Sequence, residues 1–255
     1  MALPELIAAP NWRAIDFISD LHLQASEPAT FAVWRDYMQT TEAGALFILG
    51  DLFEVWVGDD AQQPGSFENE CAQTIRRTAG RLPVFFMHGN RDFLAGVGLM
   101  KACNAQLLAD PTVLSFGHER YVLSHGDALC IKDTDYLAFR SMVRSASWQQ
   151  TFLTKPLVER QVIARSLRQQ SDMKKSLGAD YADVDAQAAC SLLAQANAAT
   201  LIHGHTHKPA VHNLGSSLGK SLQRVVLSDW DALAVPPRAE VLRLSAGGLQ
   251  RTQLL

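Results

Sequence analysis

Short apolar runs that break off into tight polar turns recur along this chain. "AIDFIS" (14–19) runs into "DLHL", and "GALFILGD" ends at Gly50 and Asp51. "LPVFFMHGNRD" ends at Gly89 and Asn90, "RYVLSHGD" at His125, Gly126 and Asp127, and "ATLIHGHTH" at Gly204, His205 and His207. Apolar runs of this length bounded by turn residues predict buried strands. Between them, "EPATFAVWRDYMQT" places Phe31, Trp34 and Met38 at helical spacing, and "ENECAQTIRRTAG" reads as a helix closed by Gly80. "QRVVLSD", "AEVLRLS" and "LQRTQLL" read as strands, the last two joined by a hairpin turn at "AGG". The N-terminal "MALPELIAAP" reads as a short extension before the first strand. In α/β proteins functional groups collect just past the carboxyl ends of strands. The polar turns are therefore expected to converge on one site.

The pattern changes between 132 and 183, where strand-like runs give way to several predicted helices. Their polar side is basic, with Lys132, Arg140, Arg144, Lys155, Arg160, Arg165, Arg168, Lys174 and Lys175. Tyr136, Phe139, Met142 and Val143, then Trp148, Phe152 and Leu153, recur at helical spacing. Because the segment lies between two of the polar turns, it must emerge near the site. It is expected to be a helical lid, 132–183, inserted within a single domain of 1–255; the alternative is a helical pair that only packs on a sheet.

Composition narrows the class. A hydrophobic content of 47% and a charged content of 19% in 255 residues fit a globular chain with a sizeable core. A net charge of −3 gives no general attraction to nucleic acid, so no nucleic-acid partner is expected. Cys71, Cys103, Cys130 and Cys190 are widely spread, without a C-x-x-C pair, which excludes a zinc ribbon and points to buried thiols in a reducing cytosol. No apolar run approaches the ~18 residues needed to span a bilayer, and the N-terminus carries Glu5 and no early Lys or Arg, unlike a signal peptide. A cytoplasmic protein, with peripheral membrane contact left open, is the expectation.

The polar turns supply Asp20, His22, Asp51, Asn90, His125, His205 and His207. Imidazoles, carboxylates and one amide oxygen suit divalent first-row metals, and the absence of cysteine argues against a structural zinc site. The set is too large for one small cation with open positions. It suits two ions sharing a carboxylate, an arrangement that can hold both oxygens of an in-line displacement at phosphorus. Each motif alone is commonplace; the ordered series, each member following a predicted strand, carries the reading. Alternation along an extended chain would put His203, His205 and His207 on one side. Of the three, His203 precedes the glycine and is expected to support the loop rather than to ligate.

In this order, "DLH", "GD", "GNRD", "HGD" and "GHTH" resemble the sequence blocks of the calcineurin-like metallophosphoesterases, over about 15–231. The resemblance implies an α/β fold, a four-layer α/β/β/α sandwich of two mixed sheets. It also implies that Asp20, His22, Asp51 and His207 hold one metal and Asp51, Asn90, His125 and His205 the other, with Asp51 and a hydroxide bridging. Many members carry His where this chain has Arg91 in "GNRD". Arginine does not donate a proton at neutral pH, its pKa exceeding ~12, but it can clamp phosphate oxygens in a fork. The expected leaving group is therefore one that needs no proton, such as a phosphate, whose second pKa is about 6.

A narrower likeness follows from "GDLFEVWVGDD", "HGNRDFL", "HGDALC", "AFRSMVR" and "LIHGHTHKPAVH", which are similar to the UDP-2,3-diacylglucosamine pyrophosphatases of lipid A assembly. That resemblance implies a hydrolase that cleaves the diphosphate of UDP-2,3-diacylglucosamine to UMP and 2,3-diacylglucosamine 1-phosphate with two Mn²⁺ ions. It further implies a monomer acting peripherally on the cytoplasmic face of the inner membrane. Substrate contacts carry over to Asn90, Arg91, Asp133 and His205, to Ser171, and to Lys175 or Lys174, where the spacing is shorter than the family's. Two other readings remain: a soluble nucleotide pyrophosphatase or phosphodiesterase of the same superfamily, and a non-catalytic scaffold of this fold.

Overall fold

The apolar run of β3 (Ala45–Leu49) is buried at every residue because both of its faces are covered. Successive side chains on a strand point to opposite faces. Ala45, Phe47 and Leu49 accordingly belong to one cluster and Leu46 and Ile48 to another. This computed structural model describes residues 2–176, 182–217 and 219–255, with the side chains of 170–176 outside that description.

β3 lies inside a first sheet together with β2 (Ala14–Ile18), β4 (Val84–Met87), β5 (Gln106–Leu108), β11 (Glu240–Ser245) and β12 (Gly248–Gln253), in the order β12-β11-β2-β3-β4-β5. β2 to β5 run parallel, and the β11–β12 hairpin adds antiparallel strands beside β2. The second sheet has the order β1-β6-β7-β8-β10-β9. Its strands are β1 (Glu5–Ile7), β6 (Thr112–Phe116), β7 (Glu119–Ser124), β8 (Thr200–His203), β9 (Ala210–Ser217) and β10 (Lys220–Val226). β7, β8 and β10 are parallel neighbours, whereas β6 and β9 pair antiparallel with β7 and β10.

The sheets face each other through Phe17, Phe47, Phe85 and Met87 on one side and Leu114, Leu123, Ile202 and Val225 on the other. Phe47 and Phe85 stack with ring centroids 4.6 Å apart; burying a Phe side chain contributes about 1.5–3 kcal/mol. On its outer face the first sheet carries α1 (Pro28–Thr40), α2 (Phe67–Ala79) and α3 (Val97–Cys103), which bring Trp34, Met38, Ile75 and Leu99 onto Leu46, Ile48 and Phe86. The outer face of the second sheet is covered by α7 (Ala186–Ala196), with Ala189 and Leu193 against Val113, Val122 and Leu201. The layers are thus helix, sheet, sheet, helix, as expected.

Two expectations need correction. Glu5–Ile7, within the segment read as an extension, is a parallel edge strand beside β6. It is short and mostly exposed, so it carries no apolar run to announce it. Of the cysteines, Cys190 is only partly buried, while Cys71, Cys103 and Cys130 are buried.

The helical segment comprises α4 (Thr134–Val143), α5 (Ala146–Leu153) and α6 (Leu157–Ser176). Its ends meet at the second sheet, where the Asp185 amide donates to the Leu129 carbonyl at 2.9 Å. Phe152 is buried in the core cluster of the first sheet, with Trp148, Leu157, Ile163 and Ala164 packed around it.

Candidate metal centre

Five parallel strands, β2, β3 and β4 of one sheet and β7 and β8 of the other, deliver their carboxyl-end loops to a common edge. The β2–β3 pairing continues beyond the strands. Asp20 and His22 amides donate to the Gly50 and Asp51 carbonyls at 3.1 Å each, and Leu23 N donates to Leu52 O at 2.9 Å. Asp20, His22, Asp51, His205 and His207 all adopt positive φ, between 49° and 69°. The other non-glycine residues in that region among the described ones are Asn104 and Asn197, each at a helix C-terminus. Backbone strain of this kind costs on the order of 1–3 kcal/mol per residue and concentrates at functional sites.

These turns separate the three histidines of "LIHGHTH". β8 ends at His203, and the left-handed His205 and His207 end the extended alternation that would have set all three on one side. The neighbouring glycines are required by close approach. A Cβ on Gly204 would lie 2.3 Å from Asp20 Oδ2, and one on Gly50 would lie 2.6 Å from His125 Nδ1.

The loops bring all seven predicted side chains together. His22 Nε2 lies 3.2 Å from His207 Nε2, and His207 Nε2 lies 3.4 Å from Asp20 Oδ1. Asn90 Oδ1 is 2.9 Å from both His125 Nε2 and His205 Nδ1. His125 Nε2 is 3.8 Å from Asp51 Oδ2. Ligand atoms of Asp20, His22 and His207 lie within 4.8 Å of one another, as do those of Asp20, Asp51 and His125.

The electrostatics favour a cation. Asp20, Asp51 and Asp127 are essentially without exposed surface. Burial raises the Asp20 pKa, but the hydrogen bond and charge of His207, with His125 and His22, hold it well below the usual carboxylate range. Burial likewise works against charge on His125, yet Asp51, Asp127 and Asp20 raise it to about 9. Asp92 accepts from the Gly89 and Leu52 amides, both at 2.8 Å; burial and the adjacent Asp51 raise it to about 7. Burial and the His125 charge lower His205 to about 4. Buried carboxylates need positive partners, and two Nε2 atoms 3.2 Å apart, as in His22 and His207, suit a shared cation between them. The donor set fits divalent metals on geometry as well as on chemistry.

Polar groups stand behind four of the histidines, closest behind His125 and His203, while His22 Nδ1 is approached by a carboxylate without an aligned hydrogen bond. His22 Nδ1 lies 3.1 Å from Glu54 Oε2, and His207 Nδ1 lies 3.8 Å from Asp229 Oδ2. His125 Nδ1 lies 2.9 Å from the Leu49 carbonyl. His203 is fully buried, with Nδ1 2.9 Å from Gly204 O and Nε2 3.4 Å from Arg224 Nη1. Burial lowers its pKa to about 4.

The remaining predicted residues are placed unevenly. The Arg91 amide donates to Asp51 Oδ1 at 2.8 Å, while its side-chain Nε is buried without a hydrogen-bond partner. Asp133 caps α4, accepting from the Tyr136 amide at 3.0 Å. Ser171, Lys174 and Lys175 fall in the last turns of α6, where side chains lie outside the described residues.

Sequence reasoning missed Glu54, Asp229, Asp127 and Tyr136. Among the described residues, the hydrogen-bond and ion-pair partners of the Asp127 carboxylate come from the insertion: Tyr136 donates its phenol at 2.5 Å, Arg140 its Nε at 2.8 Å, and Arg144 Nη2 stands 3.5 Å away. The Tyr136 ring stacks on His205 at 5.9 Å. The "HGD" block held the signal for Asp127, but nothing in the pattern tied it to α4.

Residues 14–209 match the calcineurin-like phosphoesterase family. A protein from Chromobacterium violaceum named UDP-2,3-diacylglucosamine hydrolase is 44% identical over 250 residues, covering 94% of this chain and 99% of that protein. A protein of the same name from Pseudomonas putida is 40% identical over 237 residues, covering 91% and 95%. Among solved structures, wild-type Vps29 of Entamoeba histolytica complexed with Zn²⁺ aligns over 95% of this chain and 99% of that one, at 16% identity and a TM-score of 0.45.

Proposed function

The chain belongs to the calcineurin-like phosphoesterases and, within them, to the family of the UDP-2,3-diacylglucosamine hydrolases; from that premise we propose that it hydrolyses the diphosphate bond of UDP-2,3-diacylglucosamine to UMP and 2,3-diacylglucosamine 1-phosphate. It is a hydrolase. In this reading Asp20, His22, Asp51 and His207 hold one Mn²⁺, Asp51, Asn90, His125 and His205 hold a second, and Asp51 serves both. Bound there, the ions would make water a nucleophile at neutral pH and offset phosphate charge.

Arg91 carries the choice of a diphosphate. Its guanidinium has a buried Nε without a partner, and its backbone is tied to Asp51. A guanidinium at that position clamps phosphate oxygens and supplies no proton. The bond that breaks therefore suits a phosphate leaving group, which departs as an anion near neutral pH, rather than a sugar alkoxide. His22 and His207 turn their Nε2 atoms toward each other, and carboxylates of Glu54 and Asp229 approach their Nδ1 atoms at 3.1 and 3.8 Å.

The helices α4 to α6 serve as the lid, and the acyl chains lie against their apolar residues. Peripheral contact with the cytoplasmic face of an inner membrane belongs to the same proposal. Leu153, Val158 and Val162 support it, at 44%, 70% and 57% exposure. The basic residues support it less than the sequence suggested, because Arg140, Arg144, Arg160 and Arg168 pair inward with Asp127, Asp60 and Glu54. Among the described residues no helix is long and apolar enough to cross a membrane. Since one chain supplies the complete ligand set, the active unit is taken to be a monomer.

The test is hydrolysis of UDP-2,3-diacylglucosamine with and without Mn²⁺, with identification of the nucleotide product. Mn²⁺-dependent release of UMP is expected; release of UDP would place the attack at the wrong bond. The diacylated substrate should exceed UDP-N-acetylglucosamine by roughly 10²-fold or more in kcat/KM. Equal rates would favour the soluble-nucleotide reading.

A further inference from the structure

Glu54 lies between the helical insertion and the metal centre. Its Oε2 faces His22 Nδ1 at 3.1 Å, and its Oε1 faces Arg168 Nε of α6 at 2.5 Å. We propose that Arg168 and Glu54 are positioning residues that couple the docking of the insertion to the metal site of Asp20, His22 and His207. This rests on that site being a metal site.

The backbone fixes one half of the chain of contacts. Glu54 N donates to Leu23 O at 3.1 Å, Leu23 N donates to Leu52 O at 2.9 Å, and Leu23 forms a parallel bridge with Phe53. The Glu54 backbone is therefore held beside His22 wherever the insertion lies. The contact is a close approach of charge to a buried ring nitrogen that has no aligned hydrogen-bond partner; a carboxylate at that distance favours the proton on Nδ1 and leaves the Nε2 lone pair for a metal. The His22 and Glu54 side chains are each only 15% exposed, so the orienting contact is largely shielded from water.

The other half depends on the insertion. Arg168 reaches Glu54 only because α6 lies across the loop after β3, where Arg160 anchors it to the Val57 carbonyl and to Asp60. The two arginines are eight residues apart, about 12 Å along a helix. Arg160 thus fixes the start of α6, and Arg168 carries it to the ligand loop. With Arg168 in place, Glu54 is a charge-balanced, two-sided bridge. Without it, the Glu54 carboxylate, only 15% exposed, loses its guanidinium partner and its side chain is free to turn from His22.

His207 provides the internal contrast. Its Nδ1 faces Asp229, which pairs with Arg238 at 3.0 Å, and both lie in the loop after β10, outside the insertion. One ligand of this site is thus supported by the sandwich itself and the other by the docked insertion. Coupling between two binding events is reciprocal. Metal binding at His22 should favour docked α6, and docked α6 should favour metal.

The test uses the metal-free full-length chain titrated with Mn²⁺ by calorimetry, with hydrogen exchange on α6 as a second readout and circular dichroism to verify folding. The binding event that His207→Ala removes identifies the site. Glu54→Gln should weaken that event about 10–100-fold. Arg168→Met should weaken it about fivefold, the scale of a partly exposed ion pair, and Arg168→Lys should restore part of the loss. The double variant should be no weaker than Glu54→Gln alone, because Arg168 acts through Glu54. Mn²⁺ should slow exchange across the described part of α6 in the wild type and not in Glu54→Gln. Unchanged affinity in Arg168→Met, or losses that add in the double variant, would overturn the coupling while leaving the metal site intact. Absence of Mn²⁺ binding by the wild type would instead overturn the metal site, and the coupling with it.

Discussion

A methyl group on Gly89 would sit 2.0 Å from Asp51 Oδ1 and 2.4 Å from the Asp51 amide. Asp51 is buried and cannot retreat without moving off the site. Gly89→Ala is therefore expected to remove both metals and to lower turnover by more than about 10²-fold, since small misplacements at a site carry that cost. Metal analysis of the purified variant checks this; full metal content with normal turnover would show that the loops have slack. The glycine was legible in the sequence, as were the seven side chains that the loops gather, because imidazole, carboxylate and amide groups after strands carry their chemistry in their identity. Their left-handed backbone was not legible, and neither were Glu54 and Asp229. A carboxylate that orients an imidazole looks in sequence like any surface acid until the fold sets it beside the ring.

At the scale of elements, strands buried on both faces announced themselves, as "ALFIL" does, and so did α1, α2 and the closing hairpin. β1 and β5 did not, since short edge strands bury too little to leave a pattern. The insertion was legible as helices, but the direction of its charges was not. Periodicity groups residues on a face without saying which face meets protein. α4 turns Arg140 and Arg144 onto Asp127, and its Tyr136 onto the same carboxylate, so a single buried acid holds this helix against the His125 loop. Asp127→Asn should cost roughly 2–3 kcal/mol, the scale of hydrogen bonds to a charged group. It should also raise KM more than it lowers metal content, because α4 loosens while the ligands stay. Urea unfolding and metal analysis on one preparation test both parts. Loss of metal with unchanged stability would make Asp127 part of the metal set instead of the anchor of α4.

For the molecule as a whole, the sandwich was legible through family resemblance more than through pattern, because an apolar run buried on both sides does not reveal what covers each face. The consequence of the arrangement is mechanical. Asp20, His22, Asp51 and Asn90 follow strands of the first sheet, and His125, His205 and His207 follow strands of the second. Each proposed ligand set takes members from both sheets, so an ion bound by either set would act as a cross-link at the edge where the two sheets meet. An ion that binds only the folded chain stabilises it by about 2.7 kcal/mol at a concentration one hundred times its dissociation constant. For a chain of this length that corresponds to roughly 5–10 °C in melting temperature. Chelation of both ions should therefore lower the melting temperature of the wild type by about twice that amount, roughly 10–20 °C, and readdition of Mn²⁺ should restore it. The Asp51→Ala variant, which lacks the carboxylate common to both sets, should melt at nearly the same temperature with chelator or with Mn²⁺. A chelator-dependent shift that persists in Asp51→Ala would locate the stabilising metal elsewhere in the chain and remove the two-sheet cross-link from the account of stability.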